Sequence, residues 1–177
     1  MTKYMPKKAR LDCHGIDSLN FLLANNKIFR NVFYFRIESS VNFSASLAKG
    51  ISLFILPRLF NIEIGTPVNG YIDGGLRIIH TQGCTCVPYI AGKNLTVLQG
   101  VTIGNGLRKE DEIGCPIIGD NVTIMANSVV CGSINIGNNV VIGAGSIITK
   151  DVPDDCVVVG NPARIIKEKG IKINKLL

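Results

Sequence analysis

A stretch in the second half of the chain repeats with a period of six residues. An aliphatic residue recurs at every sixth position, at Ile118, Ile124, Val130, Ile136, Ile142 and Ile148. Four residues after each of these stands a second small or apolar residue, namely Val122, Ser128, Ile134, Val140, Ser146 and Val152. The position three after each lead residue holds a type that tolerates tight turns, at Asn121, Asn127, Ser133, Asn139, Gly145 and Asp151.

This period excludes a helix and favours extended chain. In a helix a step of six residues advances the side chain by about 600 degrees, so the lead residues would scatter instead of forming an apolar stripe. In extended chain, even offsets keep side chains on one face, and a turn can bend the chain between hexads. Short strands stacked at about 4.8 Å pair every backbone group with the coil above or below. The pattern therefore predicts a parallel β-solenoid.

The repeat also sets the predicted domain boundaries. The same register reappears upstream at Ala91, Val97 and Ile103, but the next lead residue, Ile118, lies fifteen residues further on, so a polar loop is predicted at 104–117. Looser alternation places the start of the solenoid near residue 61 and its end at 164. Residues 16–56 carry helical periodicity, so residues 1–60 are predicted to form a small α-helical head that caps the coils. Residues 165–177 are predicted to be a basic tail, a strand or short helix packed on the outside.

Charge and composition narrow the function classes. The chain has 177 residues, 46% apolar, with a net charge of +6. The charge is +6 in residues 1–60, −4 in 61–160 and +4 in 161–177, so the ordered middle is acidic and a nucleic-acid binder is not expected. The basic ends are either a solvated surface or attracted to phosphates of a cofactor or a membrane. Neither a membrane-spanning run nor a secretory signal is present, which predicts a cytoplasmic protein, with contact to the inner face of the membrane left open.

The cysteines do not predict a metal site or disulfides. Nothing marks the chain for export, so the six cysteines are expected to be free thiols. The only closely spaced pair, Cys84 and Cys86, lacks the spacing and the second ligand pair of a zinc site. No metal is therefore expected.

The six-residue repeat and its turn residues resemble the hexapeptide-repeat acyltransferases with a left-handed parallel β-helix. Within them the chain is similar to the serine acetyltransferase branch, and especially to its short-headed relatives that O-acetylate cell-surface polysaccharides. The matching segments are HTQG at residues 80–83, LQGVTIGNG at 98–106, IIGDNVTI at 117–124, VIGAGSIITKDVP at 141–153, VVGNPARII at 158–166 and FRNVFYFRI at 29–37. The resemblance implies a homotrimer that binds acetyl-CoA between neighbouring solenoids.

The resemblance also assigns roles to individual residues. A general base must take the proton of the attacking hydroxyl, and His80 occupies the position of the family's catalytic histidine, whereas His14 is interpreted as a surface residue. Glu63 resembles the orienting carboxylate, with Asp73 as a second candidate. A backbone N–H of Gly104, Asn105 or Gly106 is the candidate oxyanion donor; a plain exit turn is the alternative. The cofactor residues implied are Ala126, Ala144 and Gly145 along the pantetheine arm, with Lys150 and Arg164 at the phosphates.

The acceptor is predicted from the positions at which this chain departs from the serine acetyltransferases. Before the base, where serine acetyltransferases carry an aspartate, this chain has Ile79, and where they carry Arg-His before proline it has Gly114-Cys115. A free amino acid would lose its ionic anchors there, so a sugar or polysaccharide-precursor hydroxyl is favoured and serine is the alternative. Cys115 is not expected to act as a nucleophile, because the family transfers acetyl directly. A non-catalytic scaffold is the third reading, and a carbonic-anhydrase-like enzyme is excluded because the chain has only two histidines.

Overall fold

The computed structural model describes residues 62–80, 82–106 and 114–177. The predicted helical head, residues 1–60, lies outside the described residues. The described part is all-β and contains sixteen strands. Their bounds are β1 Ile62–Ile64, β2 Tyr71–Ile72, β3 Arg77–Ile79, β4 Cys84–Cys86, β5 Ile90–Ala91, β6 Thr96–Leu98, β7 Thr102–Gly104, β8 Ile117–Ile118, β9 Thr123–Ile124, β10 Val129–Cys131, β11 Asn135–Ile136, β12 Val141–Ile142, β13 Ile147–Ile148, β14 Cys156–Val159, β15 Arg164–Glu168 and β16 Ile171–Leu176.

The strands form three sheets, and from β1 to β13 successive strands fall into successive sheets. The first sheet has the order β1-β4-β7-β10-β13, the second β2-β5-β8-β11, and the third β3-β6-β9-β12-β14, extended by β15 and β16. Strands β1 to β14 pair in parallel, each with the strand one coil above or below. The chain therefore winds as a three-sided parallel solenoid of about five turns, which confirms the solenoid predicted from the six-residue period.

Both predicted residue tracks line the core. All six lead residues from Ile118 to Ile148 are at most 3% exposed, and the second track is buried as well. The two serines of that track fill their positions without losing hydrogen bonds. The Ser128 hydroxyl lies 2.8 Å from the Met125 carbonyl oxygen and 2.9 Å from that of Gly143, and the Ser146 hydroxyl donates to Gly143 at 2.6 Å. A small hydroxyl at a corner thus donates hydrogen bonds to turn carbonyls that an aliphatic side chain could not make.

Three edges join the sheets. The His80 edge leads from the third sheet to the first and consists of the described residues of 80–83 with 99–100, 126–127 and 144–145. The loop edge leads from the first sheet to the second and includes residues 104–106 and 114–116. The Asn edge leads from the second sheet to the third and consists of residues 93–94, 120–121, 138–139 and 154–155.

The Asn edge is held by a ladder of side chains. The Asn94 carboxamide donates to Asn121 at 2.9 Å, Asn121 to Asn139 at 3.2 Å, and Asn139 to Asp155 at 2.9 Å. These four residues have φ between 55° and 60°, the left-handed region that Asn and Asp tolerate better than other side chains. The same conformation is adopted at Asn127 and Gly145, whereas at the repeat position of Ser133 it is the preceding Gly132 that has a positive φ. Four of the six predicted turn residues, Asn121, Asn127, Asn139 and Gly145, therefore adopt the left-handed conformation at their corners.

The chain after the last coil forms an antiparallel hairpin. Strand β15 pairs with β14, and β16 pairs with β15, so residues 164–176 extend the third sheet beyond the solenoid. The Ile165 side chain is buried, while Ile171 and Leu176 are exposed. Within the described ranges, no helix is long and apolar enough to cross a bilayer.

Candidate functional site

His80 projects from an insertion at the His80 edge. Ile79 pairs with Leu98, and Thr85 pairs with Thr102. Five residues stand between Ile79 and Thr85, but only three stand between Leu98 and Thr102, so the coil that contains His80 is two residues longer at this edge. The coils rejoin where the Gly100 N–H donates to the Gln82 carbonyl at 2.9 Å. The insertion therefore begins at His80, which has a φ of 61° and an exposed side chain. A non-glycine residue in this conformation is uncommon, and here it turns the imidazole away from the core.

A buried thiol packs beneath this corner. The Cys84 sulfur lies 3.1 Å from the Leu98 carbonyl oxygen, to which it donates, and 3.8 Å from the His80 carbonyl oxygen. The neighbouring Cys86 is fully buried, and burial, with a smaller contribution from Cys84, raises its thiol pKa from 9.0 to about 12. All five cysteines in the described part are free thiols.

Small side chains continue the His80 edge below the imidazole. The strand register aligns Gln99 with Ala126 and Ala126 with Ala144 in successive coils. Two backbone hydrogen bonds hold this alignment. The Asn127 N–H donates to the Gln99 carbonyl at 3.0 Å, and the Gly145 N–H donates to the Ala126 carbonyl at 2.9 Å. Ala144 and Gly145 are exposed, and a Cβ added at Gly145 would meet no atom within 4 Å. The predicted cofactor residues Ala126, Ala144 and Gly145 therefore share one open edge with His80.

The two candidate carboxylates lie in different places. Glu63 is exposed in β1, opposite Thr85, and thus near the end of the first sheet that borders the His80 edge. Asp73 follows β2 at the turn toward the third sheet, where its carboxylate accepts the Gly74 N–H at 2.6 Å. Strand β3 separates Asp73 from His80, so the strand order favours Glu63 as the partner of the imidazole.

The candidate oxyanion donors lie on the loop edge. Gly104 ends β7, and the Gly106 N–H donates to the Gly114 carbonyl at 3.0 Å, which closes the base of the loop and occupies that amide. Within one chain a three-residue strand of the first sheet, roughly 10 Å long, separates these residues from the His80 edge. The structure therefore does not bring Gly104, Asn105 or Gly106 together with His80 in a single protomer.

Lys150 and Arg164 lie at the C-terminal end of the solenoid. The Lys150 ammonium donates to the Leu177 carbonyl at 2.8 Å, and the Arg164 Nε donates to the Asn174 carboxamide at 2.6 Å. Lys150 borders a cavity of about 160 Å³ whose other walls are Ile147, Thr149, Asn161, Pro162, Ala163, Leu176 and Leu177. A second cavity, of about 540 Å³, lies between the Asn edge and the hairpin and is bordered by Lys167 and Lys169. His80 borders neither cavity.

The positions that favoured a sugar acceptor carry no charge toward the site. Ile79 is half-buried at the end of β3, and Gly114 and Cys115 are buried at the base of the loop. A Cβ at Gly114 would collide with the Asn105 carboxamide oxygen, so the loop base is built around a missing side chain. In the part of the chain that the structure describes, no group of three or more His, Cys, Asp or Glu side chains could hold a metal ion.

Gln99, which no sequence motif singles out, lies on the His80 edge beside the predicted site. Its carboxamide oxygen is buried and has no hydrogen-bond partner among the described residues. The signal was present in the repeat, because Gln99 stands at the corner position where the next two coils have Ala126 and Ala144.

Comparison with known proteins supports the same family resemblance. Residues 115–150 match the family model of the bacterial transferase hexapeptide (six repeats). A serine acetyltransferase of Staphylococcus aureus is 42% identical over 105 residues, which are 59% of this chain and 46% of that protein. The chain thus spans about half the length of the curated relatives it matches.

Solved structures agree with the sequence match. The serine acetyltransferase of Neisseria gonorrhoeae superposes with a TM-score of 0.68 at 31% identity, over 94% of this chain and 64% of that one. Soybean serine acetyltransferase complexed with serine gives a TM-score of 0.66 at 29% identity, over 90% of this chain and 65% of that one. The described solenoid is therefore similar in fold and in repeat to the serine acetyltransferases, which are hexapeptide-repeat proteins. The narrower resemblance to polysaccharide O-acetyltransferases is not supported by these comparisons.

Proposed function

We propose that the protein is an acetyl-CoA-dependent O-acetyltransferase in which His80 is the general base. The observation that carries the proposal is the arrangement of the His80 edge, where an exposed imidazole stands at the head of an open row of small side chains, Ala126, Ala144 and Gly145. A thin thioester-bearing arm fits along such a row, because small residues let a ligand approach the backbone. The similarity to serine acetyltransferases supports the same reaction class.

The reaction is a direct transfer. An alcohol is too weak an acid to ionise unaided at neutral pH, so the His80 imidazole takes the hydroxyl proton as the oxygen attacks the acetyl carbonyl. The new C–O bond forms, the C–S bond breaks, and the CoA sulfur leaves as a thiolate that takes the proton back from the imidazolium. A carboxylate that accepts from the other ring nitrogen stabilises the charged imidazole, and Glu63 is the residue we assign to this role.

Part of the site is proposed to come from a second subunit. The oxyanion formed during attack needs a preorganised N–H donor, and the candidate left on the loop edge is the Asn105 amide, because the Gly106 amide donates to Gly114 and Gly104 is paired within the β7–β10 ladder. Because the first sheet separates that edge from His80 within one chain, a homotrimer that packs the loop edge of one protomer against the His80 edge of the next would join them. The Lys150 and Arg164 side chains would meet the cofactor phosphates at the C-terminal end of the same seam. A cytoplasmic location stays a prediction.

Serine is the acceptor that the comparisons favour. The relatives that match are serine acetyltransferases, and the soybean structure is complexed with serine. One observation favours a sugar hydroxyl as a second candidate: Ile79, Gly114 and Cys115 provide no charge where the resemblance predicts anchors for an amino acid. The two acceptors make different demands on the site, because only serine has an ammonium and a carboxylate group that need charged partners.

The test measures CoA release with a thiol reagent, using the full chain, acetyl-CoA and either serine or a set of sugars. His80→Ala should lower turnover by about 100-fold or more, the contribution of a general base, without changing the oligomer. Near-normal turnover by His80→Ala would contradict the mechanism. Rapid O-acetylserine formation would decide for serine over the sugar. Absence of both CoA binding and turnover in the wild type would favour the scaffold reading.

A further inference from the structure

A neutral side chain holds the Arg164 guanidinium on the C-terminal hairpin. The Arg164 Nε–H donates to the Asn174 carboxamide oxygen at 2.6 Å. Among the described residues, the Arg164 side chain makes no ion pair and no other hydrogen bond. Its cross-strand neighbours, Val159 on β14 and Leu176 on β16, are uncharged. Arg164 therefore keeps its full positive charge, and the Asn174 carboxamide sets the direction in which the guanidinium points.

The bond through Nε leaves the far end of the guanidinium open. Arginine has one N–H at Nε and four at the two terminal nitrogens, Nη1 and Nη2. With Nε bound to Asn174, the terminal N–H groups are left for a ligand, and their parallel arrangement matches two oxygens of one phosphate. Arg164 is exposed, so a ligand reaches it from solvent. The hydrogen bond thus orients the guanidinium for bidentate recognition of a phosphate.

The level of Arg164 along the solenoid matches the length of the pantetheine arm. Arg164 pairs with Val159, and the next residue, Gly160, continues the His80 edge one coil below Ala144. Gly160 is therefore four coils below the corner that carries His80, roughly 19 Å at about 4.8 Å per coil. The arm has about thirteen bonds between the thioester sulfur and the first phosphorus, roughly 15 Å when extended. With the acetyl group at His80, the diphosphate comes within reach of the Arg164 side chain.

The neutrality of the acceptor matters, because a carboxylate in its place would compete with the phosphate. An aspartate at position 174 would also accept from Nε, and more strongly, but its negative charge would offset that of the guanidinium. The Asn174 carboxamide fixes the direction of Arg164 and leaves the positive charge for an anionic ligand.

We propose that Asn174 is a positioning residue for the cofactor: it holds Arg164 so that the terminal N–H groups face the diphosphate of CoA while the guanidinium keeps its full charge. The inference rests on the proposed function, since it requires CoA along the His80 edge. It gives β16 a role in cofactor binding in addition to extending the third sheet.

The test compares Asn174→Asp with the wild type by calorimetric titration of CoA and by urea unfolding. Asn174→Asp should bind CoA about 10-fold more weakly, the size expected for one weakened hydrogen bond to a charged group. Its unfolding midpoint should stay the same or rise, because the bond to Nε is kept and becomes charge-assisted. A purely structural role of Asn174 predicts unchanged CoA affinity when the fold is retained. Asn69→Asp, at an exposed position in the first coil, introduces the same charge and should bind CoA normally.

A double-mutant cycle tests whether Asn174 acts through Arg164. Asn174→Leu and Arg164→Ala should each weaken CoA binding about 10-fold. The double variant should bind CoA no more weakly than Arg164→Ala alone, since Asn174 then has no guanidinium to hold. The same losses should appear with 3′-dephospho-CoA, which keeps the diphosphate.

The contrary results are distinguishable from one another. If the wild type does not bind CoA, the proposed function fails and this inference fails with it. If the wild type binds CoA and Asn174→Asp binds it equally well, the role of Asn174 is overturned while the proposed function stands. Additive losses in the double variant would overturn the positioning role, because Asn174 would then act independently of Arg164. Losses with CoA but not with 3′-dephospho-CoA would overturn the assignment to the diphosphate. Should Asn174→Leu not fold, Asn174→Asp takes its place in the cycle.

Discussion

Asn121 has two roles at the Asn edge, and two substitutions separate them. Its carboxamide accepts from Asn94 at 2.9 Å and donates to Asn139 at 3.2 Å, and its backbone has a φ of 57°. Asn121→Gly removes both exposed hydrogen bonds but keeps the left-handed conformation, and should lower the free energy of unfolding by about 1 kcal/mol. Asn121→Ala loses the same bonds and also places an ordinary Cβ in the left-handed region, which costs about 1–2 kcal/mol more.

The measurement is urea unfolding followed by far-ultraviolet circular dichroism, at one protein concentration because an oligomer's stability depends on it. Ser133 is the matched control, since it occupies the same repeat position without a positive φ. There the order should reverse, with the glycine variant less stable than the alanine variant, because glycine only adds entropy to the unfolded chain. If Asn121→Ala proves as stable as Asn121→Gly, the left-handed corner does not explain why asparagine recurs on this edge.

Three further predictions test the core, the edge and the loop. Because burial raises the pKa of Cys86 from 9.0 to about 12, the folded chain keeps a proton that the unfolded chain loses, so the free energy of unfolding should fall as pH rises from 9 toward 12. The slope should be at most about 1.4 kcal/mol per pH unit, and an unchanged slope in Cys86→Val would contradict this cause. Ala144→Trp should weaken CoA binding in calorimetry at least about 10-fold with an unchanged melting temperature, because the side chain fills the open edge; normal affinity would place the cofactor elsewhere. Gly114→Ala should displace the Asn105 carboxamide, and because that side chain is exposed and can move away, the loss of stability in urea unfolding should stay below about 1 kcal/mol; Gly65→Ala, with no atom near the added Cβ, is its control.

The core could be predicted from the sequence because its rule is local. Each inward residue stands at a fixed distance from a turn former, as Ile124 lies three positions before Asn127 and Val140 one position after Asn139. Alternation along extended chain then decides its direction without reference to distant residues. The same rule predicted the loop, since Ile103 and Ile118 are out of step with the repeat. The corners followed where Asn or Gly stands at the turn position, as at Asn121 and Gly145.

The candidate site was predicted only in part, because it depends on which corners are stacked. Resemblance pointed to His80 and Ala144, and the strand register places both on one edge. It did not reveal that the Gly106 amide is occupied by Gly114, or that Gln99 lies between the base and the small residues with an unpaired oxygen. Such facts follow from backbone pairing between coils.

What the sequence determined by itself is the period of the solenoid, its two inward tracks and the type of residue at each turn, because these are consequences of side-chain direction over a few residues. What only the tertiary structure decided is the register between coils that differ in length. The insertion that begins at His80 and the loop after Gly106 change the number of residues in a coil without changing the strand pairing. Because the strands keep their backbone hydrogen bonds, each insertion is accommodated at an edge. The position of the insertion then decides which side chains lie near the imidazole.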